Sequence, residues 1–199
     1  MKREGRKIAG VVAWDTATAR AADRAGVDIV SVGDSVAMSL WGRPAEGDVS
    51  IDEMLLVCTA VARGVERALV SCDLPGGGLD AARRLVADGG AEMVKVSGEE
   101  LVATIARDGI PVLASLSGGR DTLAEARRLE AAGASAIDFR HSGEEAGSRV
   151  AEAVSVPVIG GLGGGPWLDG RMRAVHRLLE DPLAAYVADV RGGRPVPGD

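Results

Sequence analysis

Aromatic residues are scarce in this chain of 199 residues, which has one Tyr, one Phe and three Trp. Its core must therefore be built from Val, Ile, Leu and Ala, which typically fill a parallel sheet covered by helices. Only two cysteines are present, Cys58 and Cys72. Two thiols fit a reducing compartment and buried, inert roles better than a disulfide or a metal site, so we expect a cytoplasmic protein.

Two further absences limit the classes of partner. No apolar run approaches the length of a membrane span, and the Lys- and Arg-bearing N-terminus leads into a strand rather than a signal-peptide core. The chain has no basic run, and its formal net charge is −6. We therefore expect a small-molecule partner and neither nucleic acid nor membrane. The length fits one domain over residues 1–199, with residues 192–199, rich in Gly and Pro, as a flexible tail.

Strand-like and helix-like segments alternate along the chain. The predicted strands are Ile8–Trp14, Asp28–Gly33, Ala68–Asp73, Glu92–Val96, Pro111–Leu116, Ser135–Arg140 and Pro157–Gly161. The predicted helix starts with capping-box spacing are Ser50 to Glu53, Ser97 to Glu100, Thr122 to Glu125 and Ser142 to Glu145. Strand, capped helix, glycine and strand is the order of right-handed βαβ crossovers. Seven such strands without a long linker favour a (β/α) barrel over an open sheet.

Two predicted strands end in an aspartate. The segment IVSVGDS runs from Ile29 and ends in Asp34 and Ser35, and the segment ALVSCD ends in Asp73. The carboxyl ends of parallel strands meet at one rim, where ligands bind. Two adjacent carboxylates there suit a hard cation such as Mg²⁺. The alternative is that each aspartate only caps the helix that follows it.

Several motifs together resemble one known family. They are Ala13-Trp14-Asp15, AGVDIVSVGDS, Ser50-Ile51-Asp52-Glu53-Met54, ALVSCDLP, MVKVSG, Pro157-Val158-Ile159-Gly160, Asp169-Gly170 with His176, and AAYVADVRGG. In this order, along almost the whole chain, they are similar to the ketopantoate hydroxymethyltransferase (3-methyl-2-oxobutanoate hydroxymethyltransferase) family. The resemblance implies a TIM-type barrel of the phosphoenolpyruvate/isocitrate lyase superfamily, a Mg²⁺ ion and a homo-oligomer.

The family reaction moves a hydroxymethyl group from 5,10-methylenetetrahydrofolate to an α-keto acid through an enolate. By resemblance, Asp34 and Asp73 are the metal ligands, Ser35 contacts the substrate and Lys95 neutralises its oxyanion. A keto acid chelates Mg²⁺, which then stabilises the charge that develops at the adjacent carbon. Lys95 has a second interpretation, as an ion-pair partner of the two carboxylates.

Three positions depart from the family pattern. A glutamate that completes the metal shell falls on Ser97, and a histidine of the fifth strand falls on Ser115. The catalytic glutamate falls on Arg140, whose guanidinium stays protonated and cannot act as a base. Ser97 has a second interpretation, as the first residue of its capping box.

Arg140 instead offers a planar fork for a carboxylate or a phosphate. Asp138 has the same strand parity, so it is either a relocated base or an ion-pair partner of Arg140. We take Lys95, Asp138 and Arg140 as candidate catalytic residues. Ser35 and Ser115, together with Lys95 and Arg140, are the candidate substrate contacts.

The C-terminal segment is short for this family, which usually has one more strand before its last helix. Only Glu180, Asp181 and Pro182 separate the helix-like stretch 171–179 from Leu183. We therefore predict that the eighth strand is missing or replaced. Residues 184–190, the terminal helix or a neighbouring subunit would then cover the open strand edges.

The sequence predicts a diverged ketopantoate hydroxymethyltransferase-like enzyme that makes or breaks a carbon–carbon bond of a 2-oxo acid through a metal-stabilised enolate. In this reading Arg140 binds an extra acidic group of the substrate. One alternative is a genuine 3-methyl-2-oxobutanoate hydroxymethyltransferase with Mg²⁺ and 5,10-methylenetetrahydrofolate. Another is a non-catalytic ligand-binding or partner subunit. Fold resemblance alone does not separate the three, because one fold supports many chemistries.

Overall fold

The computed structural model describes residues 2–119, 121–161 and 165–191 and contains a closed barrel of parallel strands. Each strand pairs with its neighbours in chain order, and β8 pairs with β1 to close the ring. The strands are β1 Ile8–Val12, β2 Ile29–Val32, β3 Leu69–Asp73, β4 Met93–Ser97, β5 Val112–Ser115, β6 Ala136–Asp138, β7 Val158–Gly161 and β8 Gly170–Ala174.

The helices lie between the strands and after the last one. They are α1 Thr16–Arg24, α2 Val36–Ser39, α3 Ile51–Ala62, α4 Leu79–Ala87, α5 Glu99–Arg107, α6 Thr122–Ala131, α7 Glu144–Ala153 and α8 Glu180–Arg191. Short 3₁₀ helices occupy Lys2–Glu4 and Val175–Leu178. Among the described residues, no helix has the length and apolar composition needed to cross a membrane.

The seven strands predicted from sequence are all present. Six are one to three residues shorter than predicted, and β4 has the predicted length but is shifted by one residue towards the C-terminus. The prediction that the eighth strand is missing or replaced is wrong. Residues 170–174 form β8, in a stretch that we had read as helical, and residues 184–190 are helical. Arg171 and Arg173 are exposed and alternate with Met172, which packs inside the barrel. The exposed arginines hide the strand pattern, because the outer face of a barrel strand is normally apolar.

Of the four predicted capping boxes, one is confirmed and three are wrong. Ser50 accepts a hydrogen bond from the Glu53 amide, and Glu53 accepts one from the Ser50 amide. Helices α5, α6 and α7 instead begin after Gly98, Asp121 and Gly143, none with a side-chain cap. Gly98 and Gly143 have positive φ angles, a conformation that glycine adopts without a steric penalty.

The barrel interior is apolar at its amino-terminal end and polar at its carboxyl-terminal end. The inward-facing apolar side chains form one cluster of Ile8, Ile29, Met93, Leu113, Ala136 and Ile159, against which Leu69 and Met172 pack. Above this cluster, towards the carboxyl ends of the strands, Ser71, Asp73 and Asp138 are buried. The sealed lower end confines water and ligands to the carboxyl-terminal mouth, and the site lies there.

The outer faces of the strands pack against the helices. Apolar side chains of the strands, such as Val30, Val70 and Val94, join those of α1 and α3 to α7 in one buried cluster. Cys58 and Cys72 are free thiols buried in this cluster, as expected. Helix α8 is different, because its described side chains are exposed or partly exposed.

Candidate active site

Three charged side chains form a row across the mouth of the barrel. Asp73 ends β3 and lies in register with Lys95 of β4, while Asp138 ends β6. The Lys95 Nζ atom is 3.4 Å from Asp73 Oδ2 and 3.3 Å from Asp138 Oδ2. These three side chains are at most 10% exposed. Lys95, on β4, therefore bridges the carboxylates of β3 and β6, and all three side chains are largely shielded from solvent.

Asp34 brings a further carboxylate to this row. It follows β2 in the turn that leads into α2, and its amide donates a hydrogen bond to Asp73 Oδ2 at 3.3 Å. The structure thus brings together the two aspartates that the sequence analysis proposed as metal ligands.

Arg140 lies just beyond β6 at the rim of the mouth. Its Nε atom donates a hydrogen bond to Asp138 Oδ2 at 3.3 Å, so the ion pair considered from the sequence is formed. Its Nη1 atom is 3.8 Å from Oε2 of Glu46, in the loop between α2 and α3. Glu46 was missed in the sequence analysis, because it lies in an irregular loop without any motif.

The crowding of charges shifts the ionisation of this row. Burial raises the pKa of Asp73 to about 6; Lys95 opposes this effect, and the neighbouring Asp34 adds to it. Burial alone would lower the pKa of Lys95, but attraction to Asp73 and Asp138 outweighs burial and holds this pKa above its usual value. Lys95 is therefore an ammonium ion, and a further positive charge near Asp73 would favour the ionised form of that carboxyl.

The row separates two cavities. A cavity of about 770 Å³ is lined by Asp34 and also by Ser97, Ser115, Ser117 and His141. A smaller cavity of about 230 Å³ contains Ser35 and extends to His176, which stacks on Trp14. Asp73, Lys95, Asp138, Arg140 and Glu46 line both. Of the two serines proposed as substrate contacts, Ser115 thus lies in the larger cavity and Ser35 in the smaller one.

Three buried carboxylate oxygens in this site have no hydrogen-bond partner among the described residues: Asp34 Oδ1, Asp73 Oδ1 and Asp138 Oδ1. Buried polar atoms are normally satisfied, so such oxygens call for a ligand or an ion. Mg²⁺ is often held by one or two carboxylates and completes its shell with water and substrate oxygens. Asp34 and Asp73 fit that pattern, although no group of three or more His, Cys, Asp or Glu ligands occurs in the described part of the chain.

Ser97 does not serve its helix. It ends β4, its hydroxyl makes no hydrogen bond to a described residue, and Gly98 occupies the N-cap position of α5. The Ser97 hydroxyl is therefore free to bind a ligand in the cavity, and the interpretation of Ser97 as a helix cap is wrong. The glycine-rich loop after β7 lies partly outside the described residues, since the structure does not describe residues 162–164.

A comparison with models of known protein families identifies the family of this chain. The model of the family described as ketopantoate hydroxymethyltransferase matches residues 1–119, from the N-terminus to the loop after β5. The chain belongs to the ketopantoate hydroxymethyltransferase family. One member, the 3-methyl-2-oxobutanoate hydroxymethyltransferase of Cyanothece sp., is 38% identical over 96% of this chain and 87% of its own length. The resemblance drawn from the motifs is confirmed.

Solved structures of other proteins share the barrel fold. A 2,3-dimethylmalate lyase, titled a PEP mutase/isocitrate lyase superfamily member, aligns with a TM-score of 0.69 at 17% identity over 100% of this chain and 88% of its own. A phosphonopyruvate hydrolase in complex with oxalate and Mg²⁺ aligns with a TM-score of 0.72 at 15% identity, over 99% and 87% respectively. At these identities the likeness shows the fold, and it confirms the predicted TIM-type barrel.

Proposed function

We propose that this member of the ketopantoate hydroxymethyltransferase family is a diverged enzyme that forms the enolate of a 2-oxo acid and makes or breaks a carbon–carbon bond. The observation that carries the proposal is the pair of buried, unpartnered oxygens on Asp34 and Asp73 beside the Lys95 ammonium. These two residues would hold a divalent cation. Such a cation would supply Lewis-acid stabilisation of the charge that develops on the oxygen of the 2-oxo group.

The remaining charged side chains have distinct roles in this proposal. Asp138 removes a proton from the carbon next to the oxo group through Oδ1, which is unpartnered, while Lys95 and Arg140 hold its Oδ2. Two cations on one carboxylate fix its position, and positioning a base is a large part of its effectiveness. Lys95 also offsets the negative charge that builds up on the substrate. Ser35 and Ser115 are proposed substrate contacts.

The position of Arg140 favours a diverged substrate over the family's own. By resemblance this position carries the catalytic glutamate, and a guanidinium does not replace a base. A genuine 3-methyl-2-oxobutanoate hydroxymethyltransferase, with 5,10-methylenetetrahydrofolate as co-substrate, remains the first alternative, supported by the family assignment. A non-catalytic ligand-binding or partner subunit is the second alternative. The cytoplasmic location stays a prediction.

Proton exchange tests the proposal directly. A panel of 2-oxo acids, including 3-methyl-2-oxobutanoate, is incubated with the protein in D₂O, and loss of the proton next to the oxo group is followed by NMR. We expect exchange of at least one acid that requires Mg²⁺ and is lost in Asp138→Asn. Mn²⁺ binding by Asp138→Asn should be retained.

The other outcomes decide between the alternatives. Exchange of 3-methyl-2-oxobutanoate followed by hydroxymethyl transfer from 5,10-methylenetetrahydrofolate would establish the family reaction and contradict a diverged substrate. Bound Mn²⁺ without exchange of any acid would favour the non-catalytic alternative.

We further propose that the protein is a homo-oligomer in which α8 of a second copy covers the outer face of β1 and β8. Three side chains of α8 are exposed although they are large and apolar: Leu183 (59%), Tyr186 (51%) and Val187 (39%). A groove of about 840 Å³ follows the outside of β1 and β8, with Val11 and Leu178 in its lining and Arg171 and Arg173 at its rim.

The groove and the helix both present apolar surface. Arg171 and Arg173, which line the groove, have no ion-pair partner among the described residues. An exposed apolar stripe and an uncovered apolar groove on one chain satisfy each other when two copies exchange helices.

The mass in solution, measured by light scattering after size exclusion, tests this arrangement. We expect a dimer or a larger assembly, and a monomer after the double substitution Leu183→Asp and Tyr186→Asp. Leu56→Asp is the matched control, because Leu56 is a leucine of α3 with 73% exposure. A monomeric wild-type protein, or an assembly that tolerates the double substitution, would contradict the exchange.

A further inference from the structure

Arg140 presents unused hydrogen-bond donors to the larger cavity. Its Nε atom is bonded to Asp138, and its Nη1 atom is 3.8 Å from Glu46, which is too long for a hydrogen bond. The two Nη atoms therefore donate no hydrogen bond to any residue the structure describes. The side chain is 39% exposed and lines the cavity. One edge of the guanidinium is thus anchored, and its terminal amino groups are available to a ligand.

Two serines on neighbouring strands extend this wall of donors. Ser97 of β4 lies in register with Ser115 of β5, and Ser115 lies in register with Asp138 of β6. Both hydroxyls lack a hydrogen-bond partner among the described residues, and both line the cavity with Arg140. Free hydroxyls and free guanidinium N–H groups share one preference, since each can donate to an anionic oxygen.

A second part of the lining of the same cavity has the reverse character. Asp34 and Asp73 line it with buried, unpartnered carboxylate oxygens. The row from Asp73 through Lys95 and Asp138 to Arg140 connects the two walls by three contacts of 3.3 to 3.4 Å. A ligand in this cavity therefore meets an acceptor wall, formed by Asp34 and Asp73, and a donor wall, formed by Ser97, Ser115 and Arg140.

We propose that the substrate of this site is a 2-oxo dicarboxylate. Its 2-oxo acid end faces Asp34 and Asp73, and its distal carboxylate accepts hydrogen bonds from the Nη atoms of Arg140 and from Ser115. The proposal rests on the proposed function, because the orientation requires the oxo acid end to bind with the divalent cation. Arginine matches a carboxylate in a planar, charge-assisted pair. An aliphatic end at the same place would leave the Arg140 N–H groups without partners, which a site built for hydrogen bonding strongly disfavours.

A matched pair of ligands tests the distal contact. 2-Oxoglutarate and 2-oxopentanoate have the same five-carbon chain and differ in the terminal carboxylate. Isothermal titration of the whole protein at saturating Mg²⁺ should give at least about tenfold tighter binding of 2-oxoglutarate, the range of one charge-assisted pair. Arg140→Gln should remove that preference, so that 2-oxoglutarate and 2-oxopentanoate bind with similar affinity. Arg127→Gln, on the exposed side of α6, is the matched control and should bind as the wild type does.

Two more variants keep the test informative. Arg140→Lys retains the charge without the fork and should keep only part of the preference, and Ser115→Ala should weaken 2-oxoglutarate binding by about fivefold, one neutral hydrogen bond. Circular dichroism confirms that each variant is folded. Mg²⁺-dependent binding of 2-oxopentanoate with no preference for the diacid would overturn this inference and leave the proposed function standing. A diacid preference that persists in Arg140→Gln would also overturn it.

The Mg²⁺ dependence separates this inference from the function on which it rests. An Arg140-dependent preference for 2-oxoglutarate that needs neither Mg²⁺ nor Asp73 would support the distal contact and contradict the metal role. Binding of no 2-oxo acid at all would overturn both.

Discussion

The two walls of the larger cavity come from neighbouring strands of one barrel, yet they offer opposite chemistry. The wall from β2 and β3 presents the carboxylates of Asp34 and Asp73, while the wall from β4 to β6 presents Ser97, Ser115 and Arg140. Both aspartates lie within the residues that match the family model, and Arg140 lies beyond them. In our proposal the first wall holds the cation, while the second binds substrate through Arg140, which by resemblance stands where the family has its catalytic glutamate.

The largest expected effect comes from removing the acceptor wall. Asp73→Asn replaces a carboxylate with a neutral amide in the proposed cation site, so we expect Mn²⁺ affinity to fall by at least about 100-fold, as measured by electron paramagnetic resonance. Asp138→Asn, at the other end of the Lys95 row, is the control and should change Mn²⁺ affinity by less than about tenfold. Equal affinities in wild type and Asp73→Asn would remove the distinction between the walls.

Lys95 holds the two walls together, so its loss should destabilise the whole mouth. Lys95→Met leaves Asp73 and Asp138 as buried carboxylates without their shared cation. Because unpaired buried charges are costly, we expect the free energy of unfolding in EDTA to fall by about 3 kcal/mol. Urea denaturation measures the change. Mg²⁺ should restore part of the lost free energy of unfolding by binding at the proposed cation site. An unchanged urea midpoint of Lys95→Met in EDTA would contradict the role of Lys95.

A substitution remote from both walls sharpens the comparison. A Cβ atom at Gly170, on β8, would lie 2.6 Å from the Ile8 carbonyl oxygen, where β8 closes on β1. Gly170→Ala should therefore lower the free energy of unfolding by about 2 kcal/mol, measured in urea. Mn²⁺ affinity and the preference between diacid and monoacid should not change. A selective loss of either binding property would show that closure of the barrel also shapes the walls.

The smallest expected effect concerns the segment that carries Glu46. Arg43, in the same loop, lies beside Glu53 and lowers the pKa of that carboxyl to about 2, with help from Ser50. A carboxyl with a lowered pKa in the folded state stabilises above its ordinary pKa of about 4.5 and loses this contribution as the pH falls towards 2. Glu53→Gln should therefore lower the Tm by a few degrees at pH 7, and calorimetry should show the difference from wild type shrinking between pH 4.5 and pH 2. A difference that grows with acidity would contradict this origin.

The parts of the fold that were predictable depend on local pattern. β-Branched runs bounded by glycine identify seven strands, and Ser50 with Glu53 identifies one helix start, because these signals act over a few residues. The same capping-box spacing gave wrong helix starts at Ser97 and Ser142. In both cases the next residue is a glycine with positive φ, and this glycine is the N-cap. β8 was missed because the outward Arg171 and Arg173 leave no apolar pattern on that face.

The sequence by itself determined the family, the barrel and the convergence of Asp34 with Asp73, since strand ends in a parallel barrel necessarily meet at one rim. Only the tertiary structure decided that Lys95 lies between Asp73 and Asp138, that Glu46 reaches Arg140, and that Ser35 and Ser115 line different cavities. These contacts join residues from separate strands and loops. Their distances depend on how the closed sheet staggers its strands, which no local pattern encodes.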